Sequence, residues 1–464
     1  MKTSKVIEKL EITGVSAEGK SIARHDNRVI FIKNGAPGDV VDIKIVGKRK
    51  KFFEGEIINF HEKSTDRIEP FCEHFGTCGG CKWQHITYES QLRHKSDHVA
   101  SNLRKISKTE LPEINPIVGS KETTYYRNKL EYTFSNKRWL TSEEIESGED
   151  LSRSALGFHI PKRFDKILDI NHCWLQRDPS NNIRLSVKKF ADDNELSFFD
   201  IRDQVGLLRN LIIRTSSTGE LMVIVQFFEP DQESIELVMN HLKVEFPEIT
   251  SLQYIINEKK NETFYDLPVI TFSGREFIYE EMEGLKFRIG PKSFYQTNSE
   301  QAYELYKVAR DFADLQGDEL VYDLYTGTGT IANFIAKKAN HVVGVESVEE
   351  AIVDARKNSE INGISNTTFL AGDMKDMLTD DFVKQHGQPD VIITDPPRAG
   401  MHQKVVETLN RIKPKKLVYV SCNPATQARD LELLSEEFEV VKIQPVDMFP
   451  QTHHVENVML LRAR

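Results

Sequence analysis

From about residue 290 to the C-terminus, short apolar runs alternate with stretches of helical periodicity. This alternation constrains the fold more than any other feature of the 464-residue chain. The runs are Leu320–Leu324, Val342–Val345, Thr368–Leu370, Val391–Thr394 and Leu417–Val420. Between them Ile331, Phe334 and Ile335 recur at helical spacing, as do Val348, Ala351, Ile352 and Ala355. Short strands that are apolar throughout need cover on both faces, and intervening helices supply it. The expected fold over 291–464 is a Rossmann-like, doubly wound parallel sheet, with ligands at the carboxyl ends of its strands.

The rest of the chain reads differently. Over 1–60, Val29–Ile32, Val40–Ile45 and Gly55–Ile58 read as strands around the turn Asn34–Gly38, which fits a small β-barrel. Residues 61–290 read as a central α+β unit with a helix from Tyr88 to Leu103 and a hairpin, Leu211–Arg214 and Leu221–Gln226, around Ser217–Gly219. The acidic stretch Thr141–Asp150 reads as an exposed loop. No run of about twenty apolar residues exists to cross a membrane, and Met1–Lys5 lacks the apolar core of a signal peptide. The expectation is a cytoplasmic protein without a membrane partner, and nothing in the sequence demands more than a monomer. The net charge of -10 argues weakly against a polyanionic partner. Overall charge is a poor guide when one module carries the binding face, and Lys48–Lys51 followed by Phe52 and Phe53 is locally basic and aromatic.

The run Leu320–Leu324 leads into Tyr325-Thr326-Gly327-Thr328-Gly329-Thr330, and Glu346 ends the next run at a distance suited to ribose hydroxyls. A nicotinamide dinucleotide and S-adenosylmethionine both fit this pattern. Asp323, just before the glycines, suits the cationic end of the second. Further on, Asp395-Pro396-Pro397-Arg398 ends one strand and Cys422 follows another, ahead of Asn423-Pro424. Near the C-terminus Phe449-Pro450-Gln451-Thr452-His453-His454-Val455-Glu456 adds two imidazoles and a carboxylate. A thiolate, a methyl donor and a carboxylate suit one reaction. The thiolate adds to C6 of uracil, C5 becomes nucleophilic and takes a methyl group, and a base removes the C5 proton before the thiolate leaves. Cys422 is the candidate thiolate and Glu456 the candidate base.

At these residues the chain resembles the RNA uracil-5-methyltransferase family. The resemblance rests on Asp395–Gly400 with Tyr419–Thr426, on Phe449–Glu456, and on Phe294-Tyr295-Gln296-Thr297-Asn298. It implies Cys422 as nucleophile, Glu456 as base, and an S-adenosylmethionine site lined by Gln296, Tyr325, Glu346 and Asp395, with Asp373 against the adenine. Asp395 would also touch the uracil edge. The N-terminal barrel resembles a TRAM domain, an RNA-binding module. Arg127-Asn128-Lys129 after Tyr125-Tyr126 is expected to contact phosphates and bases.

Five cysteines are present, and four of them, Cys72, Cys78, Cys81 and Cys173, can supply thiolates to zinc or to an iron–sulfur cluster, leaving Cys422 free. In a zinc site His74 or His85 could replace a cysteine. The spacing resembles the branch of the family that binds a [4Fe-4S] cluster and methylates 23S ribosomal RNA. The branch acting on transfer RNA is expected to lack both cluster and TRAM module. The competing readings are a tRNA uracil methyltransferase, an RNA-binding protein without activity, and a nicotinamide-dependent oxidoreductase.

Overall fold

The computed structural model describes residues 5–464, so Met1–Ser4 of the leading segment lie outside the described residues. Three large sheets succeed one another along the chain. The first runs, in spatial order, Val6–Glu11, Val40–Lys48, Phe52–Glu62, Arg28–Ile32, Ser21–His25 and Gly14–Val15. Its first and last members are successive parts of one bent segment. The Thr13 N–H donates to the Ile22 carbonyl at 2.9 Å, so the sheet returns to its starting edge and closes as a small barrel. Ile30, Ile32, Val41 and Ile43 fill its interior.

The central sheet has seven strands, from Ile270–Gly274 at one edge to Arg163–Asp169 at the other. The expected hairpin is its middle, Leu208–Thr215 against Leu221–Phe227. Every residue of Leu221–Phe227 is buried because both faces are covered. Val223 and Val225 pack beneath helices Ser180–Asp193 and Gln232–Glu245, while Met222 and Ile224 join the core of the C-terminal sheet. The acidic segment departs from expectation: Ser142–Ser147 is a short helix. Thr141 and Glu144 form a reciprocal capping box and Gly148 closes the other end in the left-handed region, so local capping overrides the polar composition.

The C-terminal sheet is ordered Thr367–Ala371, His341–Glu346, Leu320–Leu324, Val391–Thr394, Lys416–Ser421, Glu456–Ala463, Phe438–Val446. The five expected strands are present and parallel. The sheet is nevertheless mixed, since Glu456–Ala463 runs antiparallel to both neighbours. Phe438–Val446 and Glu456–Ala463 have no helix between them, and a parallel return needs a long crossover. Helix Tyr88–Ile106, far upstream in sequence, packs here too, with Val99 and Leu103 buried among Leu324, Tyr419 and Leu431. No described helix is long and apolar enough to cross a membrane.

Candidate active site

The ladder between Lys416–Ser421 and Glu456–Ala463 pairs Val420 with Val458 and Ser421 with Asn457. One more step in that register sets Cys422 against Glu456. The reversed strand therefore begins where the parallel strands end, at the edge where ligands of such sheets bind. On the other side Thr394 pairs with Tyr419 and Leu324 with Thr394, which brings Asp395 and Tyr325 to the same edge. Glu346 ends the next strand and Asp373 follows the one beyond. Sequence positions from 323 to 456 thus meet along one rim.

Local bonding fixes this rim. Asn423 caps helix Pro424–Leu434, accepting the Ala425 N–H at 3.1 Å. Its amide donates to the Arg398 carbonyl at 3.0 Å and the Thr426 hydroxyl to the same carbonyl at 3.2 Å, tying the Asp395–Gly400 turn to the cysteine. Buried Asp430 accepts from the Tyr419 hydroxyl at 2.7 Å and the Met401 N–H at 2.8 Å. Gln427 donates to the carbonyls of Tyr419 (3.0 Å) and Asn457 (3.2 Å) and accepts from the Asn457 amide at 2.7 Å. Gln427 thus bridges the Cys422 and Glu456 strands, while Asn423, Thr426 and Asp430 fix the neighbouring turn against them.

The electrostatics are unusual because the charges are alike and enclosed. Burial, then Asp395, pushes Glu456 up to about 8, and Arg398 works against the rise. Burial, then Asp323, pushes Asp395 up to about 7, and burial lifts Asp323 to about 7. Burial, then Glu456 and Asp395, raises Cys422 to about 11, again opposed by Arg398. With no ligand bound, the thiol therefore holds its proton at neutral pH. Tyr306, wholly buried behind this group, faces Asp395, Asp323 and Glu456 and reaches Gln296.

The loop after Leu324 fits a methyl-donor nucleotide. Tyr325 is a non-glycine residue in the left-handed region (φ 64°), a conformation that concentrates at functional loops. A Cβ at Gly327 would meet nothing within 4 Å, so that side of the loop is open to a ligand, whereas one at Gly329 would lie 2.8 Å from the Ala355 methyl. The Gly327 N–H donates to Glu346 at 3.1 Å. Asp323 accepts from the Ala332 N–H at 3.0 Å and the Thr326 hydroxyl at 2.5 Å through one oxygen, while its other oxygen is buried without a partner. An enclosed carboxylate oxygen with no donor suits a cationic ligand. Asp373 is exposed and bonded to Lys375 at 2.7 Å, which lowers its carboxyl.

The segment before Glu456 hangs on a buried network that the sequence reading missed. Lys95 and Asp447, both fully enclosed, pair at 2.5 Å; Lys95 also donates to the Phe449 carbonyl at 3.0 Å, and the Tyr88 hydroxyl to Asp447 at 2.9 Å. Gln91 and Gln451 exchange bonds at 2.8 and 3.0 Å. The N–H groups of Lys82 and Trp83 donate to the Gln451 carbonyl, and the Trp83 indole reaches Gly19 of the barrel at 3.0 Å. A signal existed: Gln91, Lys95, Val99 and Leu103 recur every four residues, so the lysine shares a helix stripe with core residues.

The four other cysteines line one cavity of about 400 Å³, together with His74, Arg127 and Thr297. All are free thiols, and Cys78 and Cys81 are pushed up to about 12, chiefly by burial and then by the other cysteines. Among the described residues, however, no three His, Cys, Asp or Glu side chains are gathered closely enough to grip a metal ion. His85 is turned away and bonds the barrel at the Gly35 carbonyl, 2.8 Å away. Arg127-Asn128-Lys129, expected on RNA, is engaged internally. Asn128 donates to the Gln296 carbonyl and the Ser299 hydroxyl, both at 2.8 Å, Arg127 lies 5.3 Å from the Phe449 ring, and Lys129 pairs with Glu131 at 3.8 Å.

Comparison with known proteins agrees with this geometry. The family described as tRNA (Uracil-5-)-methyltransferase matches residues 262–464, and the TRAM domain matches residues 7–58. A protein of Bacteroides thetaiotaomicron, named an uncharacterized RNA methyltransferase, is 59% identical over 97% of this chain and 100% of its own length. One of Porphyromonas gingivalis with the same name is 56% identical over 97% of this chain and 99% of its own. Among solved structures, the Pyrococcus abyssi tRNA (uracil-54, C5)-methyltransferase in complex with S-adenosyl-L-homocysteine superposes with a TM-score of 0.73. It is 28% identical and covers 97% of this chain and 99% of its own. A tRNA enzyme thus aligns across the barrel and the cysteine region as well, so domain make-up does not separate transfer-RNA from ribosomal-RNA substrates.

Proposed function

This chain belongs to the S-adenosylmethionine-dependent RNA uracil-5-methyltransferases, with a TRAM domain ahead of the catalytic region, and from that premise we propose that it methylates uracil C5 through a covalent Cys422–C6 adduct. The observation that carries the reading is the strand register that sets Cys422 against Glu456 beside Asp395. Cys422 sulfur adds to C6 as the thiol gives up its proton to solvent, and the electron pair of the C5–C6 bond moves to C5. S-adenosylmethionine would supply the methyl group to C5 and leave as S-adenosylhomocysteine. Glu456, in its ionised form, then takes the C5 proton, and the C–S bond breaks with its electron pair returning to sulfur, which regains a proton from solvent as 5-methyluracil is released. A carboxylate whose affinity for protons lies near neutrality is a better base than an exposed one. Gln296, Tyr325, Glu346, Asp373 and Asp395 would hold the donor, the enclosed Asp323 carboxylate would favour its positive charge, and Asp395 would also meet the uracil edge. Because Cys422 and Glu456 sit inside a rim, the target base leaves its stack or comes from a single-stranded loop.

Cys72, Cys78, Cys81 and Cys173 are the proposed ligands of a [4Fe-4S] cluster. Around one zinc, bonds of about 2.3 Å hold four sulfurs within about 4 Å of one another. The four thiols line one cavity of about 400 Å³, which is the observation that supports a shared centre. The proposed substrate is 23S ribosomal RNA, met in the cytoplasm by a monomer whose parts are the barrel (1–60), the central unit (61–290) and the methyltransferase unit (291–464). A second reading, a tRNA uracil methyltransferase, is favoured by the full-length similarity to the Pyrococcus abyssi enzyme. Mapping 5-methyluridine in ribosomal and transfer RNA from cells with and without the gene tests both. Loss from 23S RNA alone supports the first, loss from tRNA supports the second, and loss from neither overturns the activity.

A further inference from the structure

Arg127 lines the four-cysteine cavity and Arg184 acts on Cys173 from beyond that lining; neither makes an ion pair among the described residues. Arg184 is fully enclosed; its Nη2 donates to the Asn171 carbonyl at 2.9 Å, two residues before Cys173, while Nε and Nη1 are buried without partners. Among the described residues it makes no ion pair. Asp169, the nearest carboxylate that acts on it, accepts the Leu156 N–H at 3.0 Å and pairs with Lys188 at 3.5 Å. The Tyr132 ring lies 5.5 Å from the guanidinium. Arg127 lines the cavity itself; its Nη1 reaches the Thr297 hydroxyl at 3.5 Å and its Nε is buried unpartnered. Cys173 feels both guanidinium charges. The cysteine is positioned by the same helix that carries Arg184, since its N–H donates to Asn181 at 2.8 Å and Asn181 donates back to its carbonyl at 3.3 Å.

An enclosed guanidinium with idle N–H groups is costly, and a nearby anion offsets that cost. Four neutral thiols do not supply that anion. Four thiolates around a [4Fe-4S] core or a zinc ion do, because either assembly carries net negative charge. We propose that Arg184, with Arg127 opposite, is the built-in counter-charge of an anionic centre held by Cys72, Cys78, Cys81 and Cys173. The inference rests on the cysteine-centre reading above and deepens it. The arginines act on the centre's charge, independently of any bond to it.

The sign of one substitution separates this role from a purely structural one. Arg184→Met removes the charge and keeps the bulk. In protein purified without oxygen, chelator should extract iron from Arg184→Met about 10- to 100-fold faster than from wild type, and the centre's reduction potential should fall. Arg184→Lys should keep both near wild type. After chelation the order should reverse: centre-free Arg184→Met should melt above centre-free wild type, because an unpaired buried charge is gone. An arginine that only braces the Asn171 carbonyl would destabilise both forms when replaced. Equal extraction rates and potentials, an Arg184→Met that melts below wild type in both forms, or one that folds in neither form, would each overturn the inference and leave the cluster reading standing. Wild type that carries neither metal nor sulfide would overturn the cluster reading itself and the inference with it.

Discussion

The chain has two cysteine-bearing sites, and they differ in the charge around the sulfur rather than in its burial. Burial raises the thiols of both, Cys422 to about 11 and Cys78 and Cys81 to about 12. Around Cys422 the charged neighbours are carboxylates, buried Glu456 and half-buried Asp395, with Asp323 behind them, and Arg398 stands on the exposed turn. Around Cys173 they are Arg184 and Arg127. A buried charge left alone is unfavourable, so each site is finished by a ligand of opposite sign. The acidic rim suits a cationic methyl donor and a neutral base, and the basic cavity suits an anionic inorganic centre. Under the proposed function, one residue type would thus serve as nucleophile in one place and as ligand in the other, according to its neighbours.

The comparison can be broken most sharply at the nucleophile. Cys422→Ala should lower methylation by at least about 10⁴-fold, as removal of a covalent nucleophile does, and abolish trapping on RNA containing 5-fluorouracil; replacing Cys173 should leave trapping detectable. Glu456→Gln should slow turnover by roughly 10²- to 10⁴-fold and accumulate a protein–RNA adduct that carries the methyl group. Normal release of product would remove Glu456 as the base. Lys95→Met, which strands Asp447 without its partner, should cost about 3–5 kcal/mol by denaturant unfolding, and an unchanged midpoint would dismiss the anchor of the 447–456 segment.

The remaining effect is one of pH. In the ligand-free protein Asp323 and Asp395 are raised to about 7 and Glu456 to about 8. Unfolded carboxyls titrate near roughly 4, so between about pH 4 and pH 8 the folded protein binds the extra protons and stability falls as pH rises. Glu456→Gln should remove its share, on the order of 4 kcal/mol at pH 8, and be more stable than wild type there. A variant that melts lower at pH 8 would contradict the enclosed, like-charged rim.

Much of the catalytic half was legible because its signals are local. Apolar runs such as Val391–Thr394 reveal strands, and the glycines at 327 and 329 reveal a loop that approaches a ligand. The barrel was legible from turns and alternation. The short helix at Ser142–Ser147 was misread because a capping box weighs little beside acidic composition in a sequence scan. The antiparallel direction of Glu456–Ala463 was missed because the sequence marks a strand and not its partner. The inward bonds of Asn128 to Gln296 and Ser299 were not legible, because a basic run looks the same whether it faces solvent or a neighbouring segment.

The sequence by itself determined which chemistry the chain can perform: a thiol, a carboxylate and a glycine loop in motifs that specify a uracil methyltransferase. Residue type and spacing are covalent facts, and a motif preserves them whatever the fold does elsewhere. Tertiary structure alone decided the electrostatics. Cys422 meets Glu456 through strand register, Lys95 meets Asp447 across 352 positions, and Arg184 acts on Cys173 across a helix start, and no local pattern names any of these partners. Burial turns these meetings into large effects, because a charge enclosed in protein interacts far more strongly than one in water. A sequence lists its charges without showing which of them the fold will shield from solvent.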